Sequence, residues 1–135
     1  MTASGVAANT YDSNWNLEVN GLKVISGGGS IKWNLSGETY FWQPGGAGTD
    51  SKRYFEFTTE MAGKLTVYAS NTGDSEDLTR MVTVKVGDSE AESLPGGYAS
   101  SGGAVPVDFN ITAGTVKIYP TGNGLRFYKI EFHSN

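Results

Sequence analysis

The chain contains no cysteine and only one histidine among its 135 residues. The lack of cysteine excludes disulfides, thiolate zinc ligands and a cysteine nucleophile. The single histidine, His133, stands two residues from the C-terminus. A terminal segment does not supply the buried, oriented imidazole that a Ser-His-Asp triad needs, and one imidazole does not make a histidine metal site.

Charged residues and long apolar runs are also scarce. Charged residues make up 18% of the chain, and 14 acidic against ten basic side chains leave a net charge of −4. Nucleic-acid-binding domains are normally basic, so that class is disfavoured. No apolar run approaches the roughly 18 residues of a membrane span. The hydrophobic content of 38% still provides for one buried core.

The first residues differ in composition from the rest. Residues 1–12 have neither the basic nor the apolar region of a signal peptide, and we expect them to be a flexible extension or a cloning remnant. Residues 13–135 are expected to form a single domain.

Short alternating segments separated by Gly, Asn, Asp and Ser clusters predict β-strands throughout that domain. Asn20-Gly21 favours a type I′ turn between strands at 15–19 and 22–25. Two further hairpins are predicted, 64–70 with 79–86 and 115–119 with 125–132. The expected fold is all-β, a jelly-roll-like antiparallel β-sandwich of about eight or nine short strands.

Alternation along these strands places several lysines and tyrosines on the outer faces. The candidate binding residues are Lys64, Lys85, Lys117, Lys129, Tyr68 and Tyr119. The predicted 64–70/79–86 hairpin sets Lys64 opposite Lys85, and the predicted 115–119/125–132 hairpin makes Lys117 and Lys129 diagonal neighbours. Like charges opposite each other are destabilising, so an anionic ligand that neutralises them is one interpretation. A solvated lysine face is the other.

The local charge balance fits the first interpretation. Residues 73–92 carry six acidic and two basic side chains, which accounts for the whole net charge of −4. Residues 115–132 carry three basic side chains against one acidic one, a local charge of +2. An acidic protein can therefore present a locally basic surface.

Two groups of residues leave alternatives open. One or two of the three tryptophans are expected in the core and one as a stacking platform for sugars; they are Trp15, Trp33 and Trp42. One acidic loop is interpreted as solvated charge, with a structural calcium ion as the alternative. Its carboxylates are Asp74, Glu76 and Asp77.

The segments SKRYFEFTTEMAGKLTVYAS (51–70) and GTVKIYPTGNGLRFYKIEF (114–132) resemble β-sandwich modules attached to bacterial pectate lyases. The resemblance is to the pectin-binding carbohydrate-binding modules of family 77. It implies a secreted, non-catalytic module without a cofactor that binds homogalacturonan of low methyl-esterification through basic residues. The implied partners are this acidic plant polysaccharide and a covalently linked catalytic domain.

The chain is expected to be a monomer with no nucleic-acid or membrane partner. The sequence is also compatible with three other functions. One alternative is a binder of neutral β-glucan or xyloglucan that uses exposed aromatic residues. Two others are a small polysaccharide lyase with a lysine or arginine base and an adhesion domain without a glycan partner.

Overall fold

A computed structural model describes residues 10–12, 15–36, 39–71, 78–96 and 104–135. Within these ranges the chain forms twelve β-strands and no helix, and therefore no helix that could cross a membrane. The strands are β1 Thr10–Asp12, β2 Asn16–Val19, β3 Leu22–Ile25, β4 Ile31–Ser36, β5 Thr39–Pro44, β6 Tyr54–Thr59, β7 Gly63–Asn71, β8 Met81–Val86, β9 Glu92–Pro95, β10 Val105–Ile111, β11 Gly114–Thr121 and β12 Leu125–Ser134. The predicted all-β class is confirmed.

The described strands form two antiparallel six-stranded sheets. Sheet A has the order β1-β4-β5-β12-β7-β10, and sheet B has the order β2-β3-β6-β11-β8-β9. Strands β5 to β12 alternate between the sheets in jelly-roll order, with β8 and β9 as the one pair that stays in the same sheet. The strand count exceeds the expected eight or nine, and β1 to β4 extend both sheets beside β5 and β6. Part of the expected N-terminal extension, Thr10–Asp12, thus pairs with β4.

The core lies between the sheets and includes all three tryptophans. Trp33 and Trp42 are each 1% exposed, with ring centroids 4.6 Å apart. Trp15 is 9% exposed, packs edge-on against Trp42 and donates its indole N–H to the Ile31 carbonyl at 2.7 Å. The expectation of one tryptophan as a stacking platform is therefore wrong.

The Asn20-Gly21 hairpin forms as predicted. Strands β2 and β3 pair from Asn16↔Ile25 to Val19↔Leu22, so that the two turn residues are the only unpaired ones between them. Both have positive φ, 51° at Asn20 and 83° at Gly21. This is the pair of values that a type I′ turn requires.

The two later hairpins are wrong, although the faces of their strands are largely right. Strands β7 and β12 belong to sheet A, whereas β8 and β11 belong to sheet B. Lys64 is therefore not opposite Lys85, and Lys117 is not a neighbour of Lys129. The two strands of each predicted hairpin thus lie in different sheets. Alternation fixes which side chains point outward, but it does not identify the neighbouring strand.

A bulge in β12 changes which of its residues face the core. The register with β7 shifts between Phe127 and Lys129. Strict alternation predicts Tyr128, Ile130 and Phe132 in the core and Phe127 outside. Phe127 is instead buried and Tyr128 half-buried, while Ile130 and Phe132 pack against the core as predicted. The extra residue in the bulge allows Phe127 and Ile130 to point inward on the same strand.

Candidate functional site: two lysine-bearing sheet faces

The six candidate residues separate into two groups of three on opposite faces of the sandwich. Lys64, Tyr68 and Lys129 lie on the outer face of sheet A, where Lys129 is directly opposite Tyr68. The remaining three lie on the outer face of sheet B: Lys85, Lys117 and Tyr119. Within this second group the two lysines are directly opposite each other.

On sheet B, the lysine pair contacts a carboxylate of the protein itself. The Lys85 ammonium donates to Asp50 Oδ2 at 2.9 Å, and the Lys117 ammonium donates to the Asp50 main-chain oxygen at 2.7 Å. The hydrogen bond and charge of Lys85 lower the pKa of Asp50, and those of Asp50 raise the pKa of Lys85. Asp50, a residue that the sequence did not single out, thus supplies the anion for this lysine pair, which is neither of the two pairs predicted from alternation.

Tyr119 does not offer an open ring to a sugar. Its side chain faces outward, but Gly48 packs against it and the residue is only 7% exposed. Burial raises the pKa of its phenol, and the Asp50 charge raises it further. The half-buried Tyr54 is the more accessible aromatic residue, and the Lys117 ammonium lies 4.8 Å from its ring centroid.

A row of charges crosses sheet B and largely cancels. Register places Glu18 opposite Lys23, Lys23 opposite Glu56, and Glu56 opposite Lys117. Lys23 and Glu56 form an ion pair at 3.7 Å. With Lys85 and Asp50 included, three basic and three acidic side chains of the described residues leave this face with no net charge.

On sheet A, Lys129 is the most accessible candidate. Its side chain is 62% exposed and its ammonium lies 5.5 Å from the Tyr68 ring centroid. It also forms an ion pair with Glu131, whose hydrogen bond and charge raise the pKa of Lys129. The same contact lowers the pKa of Glu131. Lys64 is exposed farther along β7, opposite His133.

The bulge brings further side chains to the outer face of sheet A that the sequence did not assign to the site. Arg126 lies 5.0 Å from the Phe41 ring centroid, and Tyr128 packs on Phe41 at 5.3 Å. Arg126 and Tyr128 are half-buried and together cover Phe41, which is 2% exposed. The local charge of +2 includes Arg126, but the sequence does not reveal the bulge that sets its surroundings.

Sheet A therefore has the more positive outer face. Its outward basic side chains among the described residues are Lys32, Lys64, Arg126 and Lys129. Its outward acidic ones are Asp108, which accepts a hydrogen bond from Thr66 at 2.7 Å, and Glu131. Four minus two gives +2, compared with zero on sheet B. Electrostatic attraction of a polyanion consequently favours sheet A.

The calcium alternative concerns residues that the structure does not describe. Asp74, Glu76 and Asp77 lie outside the described residues. Within the described ranges, no group of three or more His, Cys, Asp or Glu side chains could hold a metal ion.

Comparison with models of known protein families finds no match for this chain. Comparison with curated protein sequences finds no match either.

Proposed function

We propose that this chain is a non-catalytic carbohydrate-binding module for pectin. Its ligand is homogalacturonan of low methyl-esterification, bound on the outer face of sheet A. In a secreted parent protein, it targets a linked plant-cell-wall-degrading enzyme to this substrate. The observation that carries the proposal is the exposed Lys129 ammonium beside the half-buried Tyr68 ring, on the more positive of the two faces.

The geometry matches the two chemical parts of a galacturonate unit. The Lys129 ammonium can donate charge-assisted hydrogen bonds to the carboxylate, and the Tyr68 ring can contact the apolar face of the sugar. Lys64 lies four residues from Tyr68 along β7, about 13 Å at roughly 3.3 Å per residue. Because this distance exceeds one sugar ring, the face suits an extended polymer better than a monosaccharide.

Neutral glucan is the less favoured ligand on physical grounds. A flat neutral polymer binds chiefly through exposed aromatic platforms, and all three tryptophans of this chain are buried. Tyr68 is half-buried and has a cation beside it, which suits an acidic sugar.

The test compares two polymers that differ only in charge. De-esterified homogalacturonan should bind more tightly than highly methyl-esterified homogalacturonan in affinity electrophoresis and calorimetry, because esterification removes the carboxylate charge and leaves the ring. Binding should persist in a calcium chelator, because an ammonium and a carboxylate need no bridging metal. Equal affinity for both polymers would contradict recognition by charge.

An activity assay on the same samples covers the enzymatic alternative. A lyase would release unsaturated products that absorb in the ultraviolet. We expect no such absorbance after prolonged incubation with de-esterified homogalacturonan, with and without added calcium. Sustained product formation would contradict the proposal of a non-catalytic module.

A further inference from the structure

The loop between β5 and β6 brings one carboxylate to the lysine pair of sheet B. Asp50 is in the turn Thr49–Lys52, and its side-chain and main-chain oxygens accept hydrogen bonds from different lysines. The side-chain oxygen accepts from Lys85 at 2.9 Å, and the main-chain oxygen accepts from Lys117 at 2.7 Å. Asp50 contacts both lysines at the surface of the sheet, and its side chain is 46% exposed.

Contacts that do not involve the Asp50 carboxylate hold this loop in place. The Gly48 amide donates to the Pro120 carbonyl at 2.6 Å, and the Thr49 amide donates to the Lys52 carbonyl at 2.8 Å. The Arg53 amide donates to the Ser26 carbonyl at 2.9 Å, and its guanidinium donates to the carbonyls of Ser30 and Ala47 at 3.1 Å. The loop backbone should therefore keep its position when the carboxylate is removed.

We propose that Lys85 and Lys117 form a second uronate-binding site, on the outer face of sheet B, in which Asp50 acts as a built-in competitor. The ligand class is an acidic sugar whose carboxylate takes the position that the Asp50 carboxylate now holds. The identity of the sugar rests on the proposed function, whereas the anion site rests on the lysine pair itself. The existing contact already shows that a carboxylate oxygen fits at Lys85.

Exchange of the two carboxylates needs only a side-chain movement. Rotation of the Asp50 side chain would release Lys85, while Lys117 keeps its bond to the Asp50 main-chain oxygen. The half-buried Tyr54 beside Lys117 could then contact the sugar ring, a role that the covered Tyr119 does not offer. The parent protein should bind weakly here because the incoming carboxylate must displace an internal one.

The experiment compares Asp50→Asn with Asp88→Asn by NMR titration with trigalacturonate. Both changes move the net charge from −4 to −3, and Asp88 acts on Lys85 through its charge without an ion pair between them. Signals of Lys85 and Lys117 in Asp50→Asn should saturate at a roughly two- to fivefold lower concentration than in the parent, the upper part of the range for one solvent-accessible ion pair. Asp88→Asn should titrate like the parent at these signals.

Three results would overturn the inference. They are no perturbation of the Lys85 and Lys117 signals in Asp50→Asn, an equal gain in Asp88→Asn, or a gain that survives Lys85→Ala in the Asp50→Asn background. Signals of Tyr68 and Lys129 report the sheet A proposal in the same titration. Response at sheet B alone supports this inference and contradicts the sheet A site, and response at sheet A alone does the reverse.

Discussion

Asp50 contacts two lysines from different strands, and both contacts are long-range in sequence. Its carboxylate and Lys85 are 35 residues apart, and its main-chain oxygen and Lys117 are 67 residues apart. At the scale of single residues, this one side chain removes the positive charge that alternation predicts for the outer face of sheet B. The effect on stability should be small because both side chains of the pair remain partly accessible to solvent.

The Asp50–Lys85 pair should make a pH-dependent contribution to stability. The pKa of Asp50 is lowered from 3.8, so its contribution is present above that pH and is lost as the pH falls through the folded-state pKa. The pKa of Lys85 is raised from 10.5, so its contribution is lost only above that pH. Asp50→Asn should therefore melt slightly below the parent at neutral pH, and the two curves should converge in acid. A constant difference in melting temperature down to pH about 2 would contradict this assignment.

Lys129 and Glu131 should affect pectin binding in opposite directions. Lys129→Ala removes the ammonium and uncovers the Glu131 carboxylate, so affinity for de-esterified homogalacturonan should fall about two- to fivefold. Glu131→Gln should raise affinity because it frees the Lys129 ammonium from its partner. Calorimetric titration of both variants measures the two changes.

The matched control is Lys23→Ala, which removes an exposed lysine from the opposite sheet. Lys64→Ala should weaken binding in the same range as Lys129→Ala, since both side chains lie on sheet A. The residue assignment is wrong if Lys23→Ala weakens binding as much as Lys129→Ala does.

At the scale of elements, period-two alternation predicted the orientation of most side chains in β7, β8 and β11. Orientation follows from the local backbone, so a short segment is sufficient to predict it. The neighbouring strand depends on where the chain crosses between the sheets, and neither the β7–β8 nor the β11–β12 connection encodes this locally. The Asn20-Gly21 hairpin was predictable because a type I′ turn requires positive φ at both turn residues, and Asn and Gly adopt positive φ readily.

Two glycines with nearly equal φ should respond very differently to alanine. Gly21 has φ 83° and no atom near the place that an added methyl group would take, whereas Gly122, at 84°, faces the main-chain oxygen of Thr79. Gly21→Ala should cost about 1–2 kcal/mol of unfolding free energy from its positive φ alone. Gly122→Ala should cost at least about 1 kcal/mol more, because the methyl group collides with backbone.

Urea denaturation of both variants measures this difference. The comparison separates the cost of the backbone conformation from the cost of the collision, because only Gly122 has both. Equal losses of stability would show that the connection between β11 and β12 can move away from Thr79 at no cost.

At the scale of the whole molecule, an acidic protein is proposed to bind an acidic polymer. The net charge of −4 repels the polymer at long range, while the +2 of sheet A attracts it at contact. Contact pairs on an open sheet are screened as the Debye length falls from about 10 Å at 0.1 M to about 3 Å at 1 M salt. Affinity should therefore fall over this range, which titration at several salt concentrations measures. An affinity that is unchanged at 1 M salt would contradict ammonium–carboxylate recognition.

The candidate site shows the same division between local and distant determinants as the fold. Outward lysines such as Lys64 and Lys129 were identified from their own strands. The pairing of Lys129 with Tyr68 and of Lys85 with Lys117 depends on the sheet order, which the sequence did not predict. The bulge at Tyr128 changed which side chains of β12 face outward. Asp50 stands in a Gly-rich loop where no periodicity indicates direction, so its contact with the lysines had no signal in the sequence.

The two lysine-bearing faces point away from each other, because they are the outer surfaces of two packed sheets. A stiff polysaccharide chain that lies on one face cannot also reach the other, so filling both sites gives no avidity on a single chain. If both sites are occupied, one module instead cross-links two polysaccharide chains. Asp50→Asn should then raise the viscosity of a dilute pectin solution more than the parent does at equal protein concentration. A large excess of protein should lower the viscosity again, because each module then binds only one chain.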